Sequence, residues 1–436
     1  MSDLHKPYIE AFRAFESSLN GQAGQPVYQV RRGAIGAFEA NGFPTSRDEA
    51  WKSVNLSLLT EAFEKAPKSA SGYDIPSDLL PEDGNPLLVF VDGHFDASAS
   101  RLDNLPDGLT VVSIAKILES DGESLAGKFA SVAPFEDHSF TALNTAFLAD
   151  GALVQAARGA AIETPVHVIY ASTGQSGTVT YPRSLFIAEE NSQLTVVESF
   201  VGPDDADYLT NHVTEIDVAD SAILDHYKIG LEGADARHVS NQQSRQGKAS
   251  VLRSHSISLG GRFVRNDVSS ALDGDGCEST INGLYVLDGD QHCDNYTLLD
   301  HRRPDCPSHE LYKGILADSS RAIFRGKIHV HQVAQNTDAY QQNQNVLLSD
   351  DARIDTKPQL EIYADEVKCS HGATIGQIDD DAMFYLQARG ISRLEAHKML
   401  LEAFANDILS RIKIESVRAT LTDRVLDKIT LAGNKE

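Results

Sequence analysis

The stretch HVTEIDV, residues 212–218, decides the fold. Side chains alternate across an extended strand, so Thr214, Ile216 and Val218 take one face and Glu215 and Asp217 the other. Runs of the same kind recur from Leu87 to Ile378: LLVFV, LTVVS, HVIYAS, SLFIAEE, QLTVVESF, AILDHYKIG, SHSISLG, INGLYVL and RAIFRGKIHVH. The spacers between them are short and carry Asp, Asn, Gly and Ser, the residues that turn a chain. The middle of the region holds no long stretch with a helical period. That excludes alternating β–α units and a doubly wound sheet, and leaves a sandwich, a barrel or a solenoid. The span is too long for one sandwich, which favours a stacked β-solenoid whose rungs pair edge to edge. No strict repeat shows in the residues, so periodicity alone leaves a solenoid and two packed sheets both open.

Helical regions flank this core. Residues 1–85 form an N-terminal helical region with a linker. Tyr8, Phe12, Phe15 and Leu19 recur at helical spacing, as do Val27, Val30, Ala34 and Phe38, and Gly42 and Pro44 supply a stop. FPTSRDEAWKSVNL follows and contains the only tryptophan, Trp51. The segment 69–86, rich in Ser, Asp, Gly and Pro, is expected to be the linker into the β core at 86–378. Helix returns over 379–436. DDDAMFYLQARG ends on Gly390, and SRLE (Ser392–Glu395) is a capping box. Leu400, Phe404 and Ile408 continue an apolar stripe, and Leu421, Val425 and Ile429 mark a final helix. These helices are expected to cap the β region, with a stripe that could also dock a partner.

The chain has 436 residues and a net charge of −25, which argues against a nucleic-acid or anionic-membrane binder, since both need clustered positive charge. No apolar run approaches the ~18 residues of a membrane span. No basic-then-apolar leader is visible in MSDLHKPYIEAF, so a cytoplasmic location is expected. The four cysteines, Cys277, Cys293, Cys306 and Cys369, form no Cys-x-x-Cys pair and suit neither a structural zinc site nor a disulfide scaffold.

Familiar catalytic signatures are missing. RQGKAS lacks the upstream glycine and the hydroxyl residue after Lys248 that a phosphate loop needs, so no ATP hydrolysis is expected in this chain. GLEGAD (Gly230–Asp235) has the wrong glycine spacing for a dinucleotide site, and no Gly-x-Ser-x-Gly elbow occurs. The acids Asp350–Asp351 and Asp379–Asp381 sit where turns and helix starts are expected, where they would serve the backbone.

Two strands stand out. In RAIFRGKIHVHQ, Ala322, Phe324, Ile328 and Val330 form an apolar face, and Arg325, Lys327, His329 and His331 a basic one. His329 and His331 could share a metal, although such a row is more often a solvated or partner-facing edge. In VKCSHGATIG (Val367–Gly376) the same rule sets Cys369 and His371 on one face. A thiolate binds metal or attacks a substrate, and an adjacent imidazolium would lower the thiol's pKa. Two such ligands could hold iron or zinc, but two alone do not make a stable site. A buried structural pair is the commoner arrangement. If both are exposed they make half a site, with the other half on another chain.

The run TDAYQQNQNVLLSDDARIDTKPQLEIYADEVKCSHGATIGQIDDDAMFYLQARGIS, from Thr337 to Ser392, resembles the SufB/SufD family of the Suf iron–sulfur cluster assembly system. SRAIFRGKIHV, DNYTLLDHRRPDCPSHELYKGIL and PTSRDEAWK, with Pro44, Arg47, Glu49, Trp51 and Lys52, fit the same family. The CSHGAT wording points to its SufD branch. SVNL after Trp51–Lys52 departs from the family's usual text.

That resemblance implies a right-handed parallel β-helix between helical N- and C-terminal regions. It implies a non-enzymatic scaffold subunit that pairs with SufB through the β-helix edge and docks the SufC ATPase through the C-terminal helices. It also implies that His371, with Cys369 beside it, helps hold a nascent iron–sulfur cluster at the SufB–SufD interface before transfer to acceptor proteins. A reduced flavin at the level of the complex belongs to the same implication, with no local motif for it here. A homodimer through exposed strand edges is a further expectation for the isolated chain. Two other readings compete: a purely structural subunit, and a stand-alone β-helix enzyme acting on polysaccharide. The second lacks an acidic row along a single rung.

Overall fold

The computed structural model describes the chain apart from residues 1–4, 19–25, 55, 61–65, 68–71, 121, 124, 126 and 434–436, so Leu19 of the first helical stripe lies outside the described residues. Two sheets form the core. The first contains β1 (Leu87–Val91), β5 (Val166–Ala171), β8 (Gln193–Val201), β10 (Ile223–Leu231), β12 (Val251–Ser258), β14 (Glu278–Leu287), β16 (Pro307–Leu316), β18 (Thr337–Leu347) and β20 (Val367–Gly376), in that order, with β2 (His94–Phe95) beside β1. The second runs β3 (Leu109–Ser113), β4 (Gly151–Ala156), β7 (Arg183–Ala188), β9 (Leu209–Val218), β11 (Arg237–Gln246), β13 (Phe263–Leu272), β15 (His292–His301), β17 (Arg321–Val330) and β19 (Arg353–Ile362), with β6 (Val179–Thr180) alongside β9. From β7 onward the chain alternates between the sheets, and every strand pairing is parallel except β1–β2 and β3–β4. The core is therefore a parallel β-solenoid, which decides between the two architectures that periodicity left open.

The repeat is real but uneven. One turn advances 26 residues from Arg237 to Phe263, 28 from Ile223 to Val251, 31 from Pro307 to Asp338 and 32 from Arg321 to Arg353. The corner before each strand of the first sheet from β5 to β18 is more regular than the count. Gly159, Asn191, Ser221, Ala249, Gly276, Asp305 and Asn336 all adopt positive φ. Each donates its N–H to the carbonyl just before the next corner residue of the column, as Asn191 does to Asp220 and Ala249 to Asp275; for Asn336, at the last turn, the acceptor is Glu366. A left-handed bend thus recurs once per turn and keeps the rungs in register.

The solenoid interior is apolar toward both ends. Phe186, Val196, Ile216 and Leu224 fill the first turns, and Phe324, Ile328, Leu299 and Leu316 the last. Each such side chain contributes roughly 1.5–3 kcal/mol by leaving water. Beside these clusters polar side chains occupy other inner positions. Ser184 and His226 hydrogen-bond Glu198 at 2.5 and 2.8 Å, and Lys228 donates to Asn266 at 2.7 Å. In β9, Thr214, Ile216 and Val218 face inward as the alternation requires. Glu215, on the other face, is buried as well, because the segment around Ala130–Ala133 covers it.

Helices clothe the outside. α1 (Lys6–Ser18), α2 (Pro26–Asn41), the four-residue α3 (Ser57–Thr60), α4 (Ile114–Ser120) and α5 (Ser139–Phe147) belong to the N-terminal half. α4 and α5 are two short helices that fall within residues 86–378, the expected β core. Trp51 stacks on Phe140 of α5 at 5.4 Å, and the Arg265 guanidinium lies 4.5 Å from the indole ring centroid. At the other terminus are α6 (Asp380–Gln387), α7 (Arg393–Leu409) and α8 (Glu415–Gly433). Asp379 caps α6 by accepting from Asp381 N at 2.9 Å, Ser392 caps α7 by accepting from Glu395 N at 3.2 Å, and Gly390 turns the chain between them with φ +85°.

One expectation needs correction. The C-terminal helices do not close the end of the solenoid. Leu401, Ile408, Leu421 and Val425 pack on the outer face of the first sheet, against Tyr227, Ile257, Leu284 and Ile315. From Gly72 onward the linker packs on its surroundings: Leu79 is buried, and Asp78 pairs with Arg424 of α8 at 2.8 Å.

Candidate functional site

Cys369 and His371 lie on β20, the terminal strand of the first sheet. Among the described residues β20 pairs with β18 alone, so its other edge carries no strand. The parallel register sets Cys369 over Ala339 and His371 over Gln341. Ala339 and Gln341 are fully inside the solenoid, but Cys369 is half-buried and His371 exposed. The difference comes from stacking. These side chains share the inward face, and no further rung covers the last one.

Cys369 packs against the apolar cluster at this end of the core, with Val367, Leu360 and Ile354 beside it. Burial pushes its thiol up, and Asp338 adds to the effect. Cys277, Cys293 and Cys306 are completely buried, so Cys369 is the one cysteine that reaches the surface. Cys277 and Cys306, 29 residues apart, stand one turn apart with their sulfurs 3.6 Å from each other.

Beneath His371 runs a short polar column. Gln341 donates to Glu310 at 2.6 Å, and Ile281 ends the column one rung further in. Burial pushes the Glu310 carboxyl up to about 7. Elsewhere in the interior burial pushes Lys228 down to about 8 and His238 down to about 4. Sequence reasoning missed this polar lining. Its signal is present in strands such as RHVSNQQSRQ and TDAYQQNQNVL, which carry polar residues at inward positions and therefore do not look like core strands.

The other outstanding row behaves differently. Ala322, Phe324, Ile328 and Val330 are buried, as the alternation predicts. His329 and His331 face outward on the second sheet, where both reach Asp300. At the C-terminal end, Leu347, Asp350, Ile378, Met383, Phe384 and Leu394 line a groove of about 750 Å³ beside α6 and the start of α7. Phe384 is 72 % and Leu394 59 % exposed there. No helix among the described residues is long and apolar enough to cross a membrane.

Fold and site together define an open-ended parallel β-solenoid that carries a cysteine and a histidine on its last, uncovered strand. A family model described as SUF system FeS cluster assembly, SufBD core domain, matches residues 170–404, and one described as SufBD protein N-terminal region matches residues 2–168. The chain belongs to the SufBD family of iron–sulfur cluster assembly proteins and is a SufD-like member of it. It is similar to the iron–sulfur cluster assembly protein SufD of Escherichia coli, with 31% identity over 434 residues, 97% of this chain and 96% of that one. A SufBD family protein of Synechocystis is 30% identical over 93% of this chain and 92% of its own length. SufD of Bacillus subtilis is 26% identical over 67% of this chain and 68% of its own.

Proposed function

We propose that this chain is the SufD-type scaffold subunit of a SufB–SufC–SufD assembly, and that β20 supplies one half of the place where an iron–sulfur cluster is built. The cluster is cargo. His371 offers it an imidazole, and Cys369 offers a thiol that loses its proton when metal meets it. The remaining ligands come from a SufB-type chain paired against the open edge of β20. The observation that carries this reading is His371 itself: it points along the solenoid's inner column, yet it is exposed because the stack stops there. A second chain that continues the stack would cover it.

An edge strand with unpaired backbone groups favours such pairing and also favours a homodimer when the partner is absent. The exposed apolar residues Phe384, Tyr385 and Leu394 suit α6 and α7 to docking the SufC ATPase. Nucleotide-driven movement of that subunit would strain the seam and expose the cluster for transfer to acceptors. Residues 1–85, 86–378 and 379–436 then divide the work as N-terminal region, β core and docking region. A reduced flavin would act at the level of the complex, and the cytoplasm, where thiols stay reduced, suits the half-buried Cys369.

The test is His371→Ala in the co-purified three-subunit complex, with Cys369→Ser beside it. The reading expects normal assembly by light scattering and an iron and sulfide content reduced several-fold after reconstitution. An intact complex with unchanged iron and sulfide would make the subunit purely structural.

A further inference from the structure

Asp300, His329 and His331 converge on the outside of the second sheet. The parallel register places Asp300 of β15 directly beside His329 of β17, both pointing away from the core. His331 follows the end of β17, and its ring centroid comes within 4.3 Å of that of His329. His329 Nδ1 and His331 Nε2 lie 3.0 and 2.9 Å from one and the same atom, Asp300 Oδ1. The three ligand atoms all fall within 4.8 Å of one another.

The surroundings hold this arrangement in place. Arg302 Nε donates to the other carboxylate oxygen, Asp300 Oδ2, at 2.6 Å. That contact fixes the carboxylate and leaves Oδ1 aimed at the imidazoles, the role an outer partner plays around a metal ligand. Tyr363 stands edge-on to His329 with ring centroids 5.7 Å apart. The carboxylate is 10% exposed, whereas the imidazoles are 25% and 42% exposed, so the cluster is anchored inside and open outside. Glu361 neighbours His329 in the next rung and now pairs with Lys327 at 2.7 Å. One rung is roughly 4.8 Å, which brings a fourth donor within reach.

Two imidazole nitrogens and one carboxylate oxygen select a borderline divalent ion over magnesium or calcium, which prefer all-oxygen sites. Ligand bonds to such an ion are about 2.0–2.2 Å long. Asp300 Oδ1 already stands within hydrogen-bond distance of both imidazole nitrogens, so a small spread of the three side chains would admit one. We propose that Asp300 Oδ1, His329 Nδ1 and His331 Nε2 bind a single divalent first-row transition ion of the zinc or iron(II) class, at a site separate from Cys369 and His371. The site stands on its own geometry and does not depend on the cluster-assembly reading.

The experiment uses the full, untagged chain after chelator treatment. Cobalt(II) is the probe, followed by its visible absorption bands, and zinc binding is measured by calorimetry. One equivalent is expected to bind in the wild type and in a Cys369→Ala/His371→Ala double variant. His331→Ala, at the most exposed of the three positions, should weaken binding at least tenfold with an unchanged circular dichroism spectrum. His329→Ala should behave alike. Binding that survives in His331→Ala, that vanishes only in the Cys369/His371 double variant, or that is absent from the wild type would overturn the proposal.

Discussion

Gln341 and His371 are partners in the last strand pair of the first sheet, on the same inward face, and Gln341 is completely buried while His371 is open to solvent. One missing rung separates the two environments. The open edge also carries Ile375, which is 50% exposed.

Ile375→Lys puts a charge on this edge without touching the buried core. Lysine on an edge strand opposes pairing with another chain. Unfolding free energy is expected to stay within about 0.5 kcal/mol of wild type. Association with a SufB-type chain should weaken at least tenfold, read by biolayer interferometry or native mass spectrometry. Unaltered association would place the contact elsewhere.

Glu310 makes stability depend on pH. Burial raises its carboxyl in the folded chain from 4.5 to about 7. The folded state therefore holds this proton more tightly than the unfolded one. The associated stability is complete below about 4.5 and is lost as pH rises through about 7. Glu310→Gln keeps an oxygen for the Gln341 amide and removes the titration. Denaturant unfolding at pH 5 and pH 8 should show the wild type losing on the order of 3 kcal/mol more than the variant. Parallel pH profiles for both proteins would mean that the carboxyl ionises normally.

Ala249 occupies one of the left-handed corners, with φ +54°, and is exposed. A residue with a Cβ pays about 1–2 kcal/mol for that conformation, and glycine does not. Ala249→Gly should stabilise the chain by about 0.5–1 kcal/mol once the added freedom of the unfolded state is subtracted. Ala249→Val should do the opposite. Thermal melts of the two variants give the order directly.

Arg183 and Glu215 form an ion pair at 2.7 Å with side chains only 0% and 3% exposed. Glu215 also accepts from the backbone amides of Ala130, Val132 and Ala133, and Arg183 donates to Asn144 and Thr145. The pair thus ties the segment before α5, and α5 itself, to the solenoid. Glu215→Ala strands a buried guanidinium and should cost about 3–5 kcal/mol. Limited proteolysis should then cut first between residues 127 and 138. Equal resistance in both proteins would show that the segment is held by its apolar contacts alone.

Much of this architecture is local and was legible. The apolar face of RAIFRGKIHV, the inward set of HVTEIDV and the caps at Asp379, Ser392 and Gly390 follow from strand alternation and helix-end hydrogen bonding, which involve only near neighbours. Strands with polar interiors were harder to recognise. RHVSNQQSRQ offers no apolar alternation, because its inward side chains bond to other polar groups across the lumen instead of to a hydrophobic core. The solenoid repeat was hidden for two reasons. Its length drifts from turn to turn, and its conserved geometry, the left-handed corner, is met by Gly, Asn, Ser, Ala and Asp alike.

The sequence by itself determined the strands with an apolar face and the terminal helices, which side chains share a face, and that Cys369 and His371 point the same way. The tertiary structure alone decided that no rung covers them, that Asp300 meets His329 and His331, and that Cys277 meets Cys306. The physical reason is the way parallel rungs stack. Direction along a strand depends on residues two apart, whereas neighbours across rungs are separated by a full turn whose residue count is set by its corners.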